Sequence, residues 1–321
     1  MMDGLPKNPH EQSHSGVVEA LKKLAMVVPQ TPLLPLQIGA TTVWCKDESA
    51  QPIGAFKLRG AWHRLTALSA HERSRGVVAF SSGNHAQGVA WAAKRLGIAA
   101  TIVMPADAPA LKLEGTRALG AEILLYDRAH ESREVIASAL AAERGAVLVP
   151  SFDDPWIVEG QGSAGLEAAK QMNASPDLVV TPCGGGGLAA GLALALPDAQ
   201  IVTVEPEGWD DMARSLALGH IVPVGANAPK TACDALMTRE VAPLTFGILH
   251  MRGATGVTVS EAEIAAAMRF AHETMGLTLE PGGAVALAAV LAGKVKLGER
   301  TLVMLSGGNV DPGLFRAMTG L

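Results

Sequence analysis

An α/β fold, with parallel sheets covered by helices, is what this sequence predicts, on three observations. Short Val/Ile/Leu-rich runs alternate with amphipathic or Ala-rich stretches through most of the 321 residues. Continuous apolar strands separated by helices belong in parallel sheets, where both faces are buried and ligands collect at the C-terminal strand ends. Hydrophobic residues make up 49% and charged residues 18% of the chain, a balance that fits a globular enzyme and argues against an extended interaction protein. Finally, four consecutive glycines, Gly184 to Gly187, stand between a strand-like and a helix-like apolar run, with no charged residue from Val179 to Leu196.

The elements follow in order. Leu58–Leu68 reads as a helix entered through the turn Gln51-Pro52-Ile53-Gly54. Strands are expected at 77–80, 99–103, 122–126 and 146–149, with helices at 86–96, 110–119 and 133–144 between them. The Pro- and Asp-bearing stretch 150–155 marks a domain junction, and length alone suggests about two domains. A second series has helices at 162–172 and 188–196 and strands at 178–181, 201–204 and 301–305. Residues 219–255 are rich in Gly, Pro and Asn and read as loops over an active site or subunit interface. Ser260 caps a helix running to Met275, with Glu261 and Glu263 in its first turn.

A net charge of −5 without basic clusters leaves no footprint for nucleic acid or an anionic membrane. No run reaches transmembrane length. Cys45, Cys183 and Cys233 are widely separated, without zinc-type spacing, so a reducing compartment is expected. Met1 to Ser15 is polar and has no apolar core behind basic residues, which predicts no secretion signal and a cytoplasmic protein.

Three segments carry chemistry. Glycine lets successive N–H groups converge on an anion and the following helix adds its positive end, so Gly184–Gly187 reads as a phosphate cradle. No Lys follows as in a nucleoside-triphosphate loop, so the phosphate belongs to something held. Gly185 to Ala190 also satisfies G-x-G-x-x-A, and the next strand ends in Glu205, so a dinucleotide fold stands beside that reading. Ser81-Ser82-Gly83-Asn84-His85 lies between a strand and a helix, either as a second anion site or as a simple cap. Lys57 begins a helix, where the dipole and any desolvation lower its pKa and favour a neutral, nucleophilic amine. Taken alone, a lysine there better suits a solvated surface.

Taken together, Gly54-Ala55-Phe56-Lys57-Leu58-Arg59-Gly60-Ala61, Ser81 to Gly88, Cys183 to Leu188 and Ser306-Gly307-Gly308-Asn309-Val310-Asp311 occur in the order and spacing of the fold-type II pyridoxal-phosphate enzymes. The chain resembles the threonine/serine dehydratase and serine racemase family, with its tryptophan synthase β-like fold, over nearly its whole length. A dinucleotide enzyme would leave Lys57, the Ser81 loop and the Ser306 loop unexplained. The resemblance implies a large cofactor-binding domain from residues 1–70 and 152–321 and a small inserted domain from 71–151.

By that resemblance, Lys57 holds pyridoxal 5'-phosphate as a Schiff base, Gly184, Gly185, Gly186 and Gly187 hold its phosphate, and Phe56 packs by its ring. Asn84 meets the ring hydroxyl, and Ser306 meets the pyridine nitrogen. A neutral serine partner leaves the ring a weaker electron sink than an acidic one would, which favours prompt β-elimination. The implied activity is that of a threonine/serine dehydratase: freed Lys57 removes the Cα proton, the β-hydroxyl leaves, and the product becomes a 2-oxo acid and ammonia. The substrate carboxylate is expected on the backbone N–H groups of Ser81, Ser82, Gly83, Asn84 and His85, with the His85 ring structural. Many threonine dehydratases carry Ala where this chain has Ser82, whereas racemases and some hydroxyaspartate-acting relatives carry Ser, which can serve as an acid/base opposite the lysine. Serine racemase and 3-hydroxyaspartate dehydratase therefore stand as alternatives, with a non-catalytic binding protein as a third.

The resemblance also implies a Mg²⁺ or Ca²⁺ site of structural role, from the carboxylates of Glu205 and Asp211 and the main-chain carbonyl of Trp209. A homodimer or homotetramer is expected, and no C-terminal regulatory domain, since only about a dozen residues follow Asn309. Glu280-Pro281-Gly282-Gly283-Ala284 stands where relatives often have Pro-Ser/Thr-Gly/Ala, and the extra glycine is expected to widen the substrate pocket.

Overall fold

The structure, a computed structural model, describes residues 10–108 and 110–321. Of the polar segment from which no secretion signal was expected, residues 1–9 lie outside the described residues. Helix α1 (His14–Ala25) leads into strands β1 (Leu33–Ile38) and β2 (Thr41–Asp47), then α2 (Lys57–Thr66) and α3 (Ala70–Arg75). A strict alternation follows: β3 (Val77–Phe80), α4 (Asn84–Leu96), β4 (Ala100–Pro105), α5 (Ala110–Ala118), β5 (Glu122–Tyr126), α6 (Arg133–Arg144) and β6 (Val147–Leu148). Next come α7 (Pro155–Met172), β7 (Leu178–Pro182), α8 (Gly187–Ala195), β8 (Gln200–Pro206), α9 (Asp211–Leu218) and α10 (Pro243–Met251). The chain finishes with β9 (Thr255–Val259), α11 (Glu261–Met275), α12 (Pro281–Leu291), β10 (Thr301–Leu305) and α13 (Pro312–Thr319).

Two sheets result. The larger has the order β1-β2-β10-β7-β8-β9, and the smaller β5-β4-β3-β6. The smaller is parallel throughout. In the larger sheet β1 runs antiparallel to β2, an exception to the parallel expectation that follows from the two-residue turn between Ile38 and Thr41. Pro35 within β1 removes a ladder donor and obscures the strand in the sequence; the run survives because it is an edge. Strand β9, the opposite edge, contains Gly256, where α9 packs so closely that a Cβ would overlap Ala213. The stretch expected to be loops contains α10, entered through Pro243, which presets the first helical turn.

Helix α7 begins seven residues before the predicted 162, with Asp154 accepting from the Ile157 amide and Pro155 in the first turn. Gly160, Gly162 and Gly165 weaken the helical signal in sequence. They serve contact instead. A Cβ on Gly160 would stand 2.5 Å from Gly60 Cα in α2, and one on Gly162 would overlap the Gly191 carbonyl of α8. Helix α7 thus sets α2 and α8, whose first residues belong to the site, at backbone-contact distance from a common strut.

Beneath α2 lies a buried ionic network. Arg59 donates to Glu48 at 2.7 and 2.8 Å and to Glu167 at 3.0 and 3.2 Å, and Lys46 donates to Glu167 at 2.6 Å. Two cations meet two carboxylates, so charge balances and the fork geometry of arginine is used in full. Burial opposes the Glu167 charge, but Arg59 and Lys46 overcome it and hold the carboxyl down at about 2.

Candidate active site

Three loops at C-terminal strand ends converge with the start of α2. β3 delivers the Ser81 loop, β7 the glycine loop and β10 Ser306. The turn before Lys57 is stitched to the Ser306 loop: the Phe56 amide donates to the Ser306 carbonyl at 3.1 Å, and Ala55 bridges to Gly307. Phe56, Lys57, Ser81, Ser82, Gly83, Asn84, His85, Gly184 to Gly187 and Ser306 all line one cavity.

Lys57 Nζ donates to the Ser151 carbonyl at 3.1 Å and lies 5.0 Å from the Phe56 ring centroid. Burial lowers its pKa to about 8, with Glu280 pulling the other way. The amine is therefore available near neutrality, where a solvated lysine is almost wholly charged.

Helix α4 opens at Asn84 behind Gly83, leaving the first-turn amides directed at the cavity end of the helix. His85 Nε2 donates to the Val149 carbonyl at 2.9 Å, and burial, with Lys57 nearby, drives its pKa down to about 3. The ring is thus neutral and ties the loop to the end of the small sheet. The Asn84 amide is held at both ends, donating to Glu280 Oε1 at 2.5 Å and accepting from Asn309 Nδ2 at 2.8 Å.

The glycine loop has no room for side chains. A Cβ on Gly185 would enter the Phe152 ring, one on Gly187 would stand 2.9 Å from Phe152 Cβ, and Gly186 takes φ +85° as the residue before α8. A backbone cradle at a helix N-terminus, a lysine of lowered pKa and a hydroxyl-bearing loop in one cavity fit a phosphorylated aldehyde cofactor.

Glu205, Trp209 and Asp211 do not line that cavity; they lie behind the cradle. Met212, whose amide donates to Glu205 at 3.0 Å, brings its Cε within 2.7 Å of where a Gly186 Cβ would be. Glu205 also accepts from the Ala213 amide at 2.8 Å. Burial, then repulsion by Asp211, pushes Glu205 well above the carboxylate range. Burial pushes Asp211 up to about 7, although its own amide and that of Val241 oppose the shift. Neither Asp211 oxygen makes a well-formed hydrogen bond among the described residues, an arrangement a hard cation would relieve. Among the described residues there is no group of three or more His, Cys, Asp or Glu side chains able to hold a metal, so a cation here would depend on the Trp209 carbonyl and water.

Four charged cavity residues carry no role in the sequence reading: Lys112, Arg133, Asp234 and Glu280. Lys112, on α5, forms a close ion pair with Asp234 of the other sheet's side of the cavity. Its Cδ and Nζ lie 3.3 Å from where a Gly83 Cβ would project. Arg133, at the start of α6, lies 5.6 Å over the ring of Phe80, the residue before Ser81. In sequence both look like ordinary cations on amphipathic helices. Glu280 did leave a signal, being a charge immediately before an otherwise wholly apolar helix that is buried from Pro281 to Val290.

Comparison with known proteins agrees with this geometry. The family described as pyridoxal-phosphate dependent enzyme matches residues 24–307. L-threo-3-hydroxyaspartate ammonia-lyase of Saccharomyces cerevisiae is 40% identical over 93% of this chain and 94% of its own length. L-threonine ammonia-lyase of Thermotoga maritima is 38% identical, covering 92% of this chain and 75% of that one. The structure of maize serine racemase superposes with a TM-score of 0.90 at 34% identity, covering 97% of this chain and 98% of that chain. The architecture is that of the fold-type II enzymes, and the chain belongs to the pyridoxal-phosphate dependent enzyme family. Its relatives act on small amino acids and include both ammonia-lyases and racemases.

Proposed function

We propose that this protein is an ammonia-lyase that eliminates water from a β-hydroxy amino acid, with L-threo-3-hydroxyaspartate as its preferred substrate ahead of L-threonine and L-serine. The observation that carries the choice is that Lys112 and Arg133 line the Lys57 cavity beside the Ser81 loop. Threonine and serine offer those cations nothing, whereas a second carboxylate would compete with Asp234 for Lys112 and with Glu134 for Arg133. The relatives named for hydroxyaspartate, at 40% identity over 93% of the chain, support the same preference.

Pyridoxal phosphate, when bound, supplies the electron sink that makes the Cα proton removable. Lys57 would hold it, Gly184 to Gly187 would cradle its phosphate, Asn84 would meet its ring oxygen and Ser306 its ring nitrogen. The α-carboxylate is bound by the amides of Ser81 to His85 at the start of α4. Lys57 would take the Cα proton as a neutral amine, the β-hydroxyl would take a proton from water and leave as water, and addition of one water would then give a 2-oxo acid and ammonia. Ser82, lining the same cavity as Lys57, supports racemisation as a side activity, because a hydroxyl there could return a proton to the other face. Glu205, Asp211 and the Trp209 carbonyl would hold Mg²⁺ or Ca²⁺, bracing the cradle from behind.

Arg133→Ala tests the substrate assignment. Loss of a charge-assisted contact is expected to lower kcat/KM for L-threo-3-hydroxyaspartate about 10- to 100-fold, with L-serine turnover changed little. Equal losses on both substrates would refute a role for Arg133 in recognising the second carboxylate.

A further inference from the structure

We propose that Glu280 and Asn309 are positioning residues that lock the Asn84 side-chain amide in one orientation, so that its remaining N–H is presented to the cofactor ring. The inference rests on the cofactor reading of Lys57 and the glycine loop. An Asn amide has two donors on nitrogen and an acceptor oxygen, and its orientation is set by its partners. Here one Nδ2 hydrogen goes to Glu280 Oε1 at 2.5 Å, and Oδ1 accepts from Asn309 Nδ2 at 2.8 Å. Asn309 is itself anchored, donating to the Ile53 carbonyl at 2.7 Å. Flipping Asn84 would set NH₂ against NH₂ at Asn309 and, while Glu280 is ionised, carbonyl oxygen against carboxylate. Both neighbours therefore select the same orientation, and one Nδ2 hydrogen is left over.

Glu280 is itself held firmly. Its amide donates to the Gly307 carbonyl at 3.1 Å, its own carbonyl accepts from Gly283 and Ala284, and a Cβ on Gly307 would overlap Oε1. The carboxyl is 2% exposed, and its other oxygen, Oε2, has no partner among the described residues while the residue lines the cavity. The charged groups facing it are Lys112, Asp234 and Lys57, and burial pushes its pKa up to about 7. Asn84 thus donates to a carboxyl whose pKa burial raises, and a change in that carboxyl's charge would reach the ring through the same donor.

The test uses holoenzyme carrying Glu280→Gln, Glu280→Ala, Asn84→Ala and the double Glu280→Ala/Asn84→Ala, reading the visible imine band against pH and the affinity for pyridoxal phosphate. Glu280→Gln, which keeps an acceptor for Asn84, is expected to keep the band position but lose its pH dependence near 7. Glu280→Ala is expected to displace the band as Asn84→Ala does and to weaken cofactor affinity about tenfold, with the double variant no worse than either single. A pH dependence unchanged in Glu280→Gln, or displacements that add in the double variant, would overturn the proposal. A wild-type protein without an imine band, or a Lys57→Ala protein that keeps one, would overturn the cofactor reading itself.

Discussion

Gly60 and Gly160 meet backbone to backbone: a Cβ on Gly160 would stand 2.5 Å from Gly60 Cα and 2.7 Å from the Arg59 carbonyl. Neither atom can yield as a flexible side chain would. Gly160→Ala is therefore expected to push α2, and with it Lys57, away from the glycine loop. The substitution should destabilise the protein by about 1–3 kcal/mol and weaken cofactor binding more than Gly293→Ala, whose Cβ would meet nothing. Glycine 293 has φ +68°, so that control loses some stability but should leave the imine band unchanged. Denaturant unfolding and spectral titration with pyridoxal phosphate separate the two effects.

Lys57 gives the cofactor-free protein a pH signature. Its folded pKa of about 8 lies below the ordinary lysine value of 10.5, so the unfolded chain binds the extra proton between those values and stability rises with pH across that window. Below about 8 the cost of the buried charge is fully present. Lys57→Met should thus stabilise the cofactor-free protein at pH 7, by at most about 3 kcal/mol, and the advantage should vanish by pH 10.5. A gap independent of pH would show that the amine is not desolvated.

Asp211 works in the opposite sense. Its folded pKa of about 7 exceeds the usual 3.8, so the folded state holds a proton the unfolded state lacks, and stability falls as pH rises from about 4 to 7. At pH 8 Asp211→Asn is expected to raise the melting temperature of chelator-treated protein by about 3 °C or more. Adding Mg²⁺ or Ca²⁺ should stabilise the wild type and leave Asp211→Asn unmoved. Indifference of the wild type to both cations and chelator would remove the case for a cation site.

The Arg59 network is a further point of failure. Glu167→Ala leaves Arg59 and Lys46 buried with a single carboxylate between them, and is expected to cost about 3–5 kcal/mol. Because Arg59 lies two residues from Lys57, the loss should appear in cofactor affinity as well as in the urea midpoint.

The three strand-end loops of the site were legible because each sets residues with no packing value, glycines and small hydroxyls, at the end of an apolar strand. Strands 77–80, 122–126 and 301–305 and helix 133–144 were legible from periodicity and agree with the structure to the residue. Other features were hidden by the same physics that makes them useful. Pro35 masks an edge strand, and Gly160 and Gly162 mask the first half of α7 while providing its backbone contacts. Lys112 and Arg133 carry no local signal, since what turns a helix-surface cation into a cavity cation is a partner distant in sequence, Asp234 across the cleft for Lys112 and Phe80 at the end of β3 for Arg133. Glu280 stood in plain view before Pro281, but its meaning depends on Asn84 and Asn309, 196 and 29 residues away.

The most direct measurement is release of 2-oxo acid and ammonia by the protein loaded with pyridoxal phosphate and Mg²⁺, on L-threo-3-hydroxyaspartate, L-threonine and L-serine separately. The account predicts release from all three, with kcat/KM for hydroxyaspartate at least about tenfold above the others. Equal or greater efficiency on L-threonine would contradict the roles given to Lys112 and Arg133, and no release from any substrate by protein that shows the imine band would contradict the lyase itself.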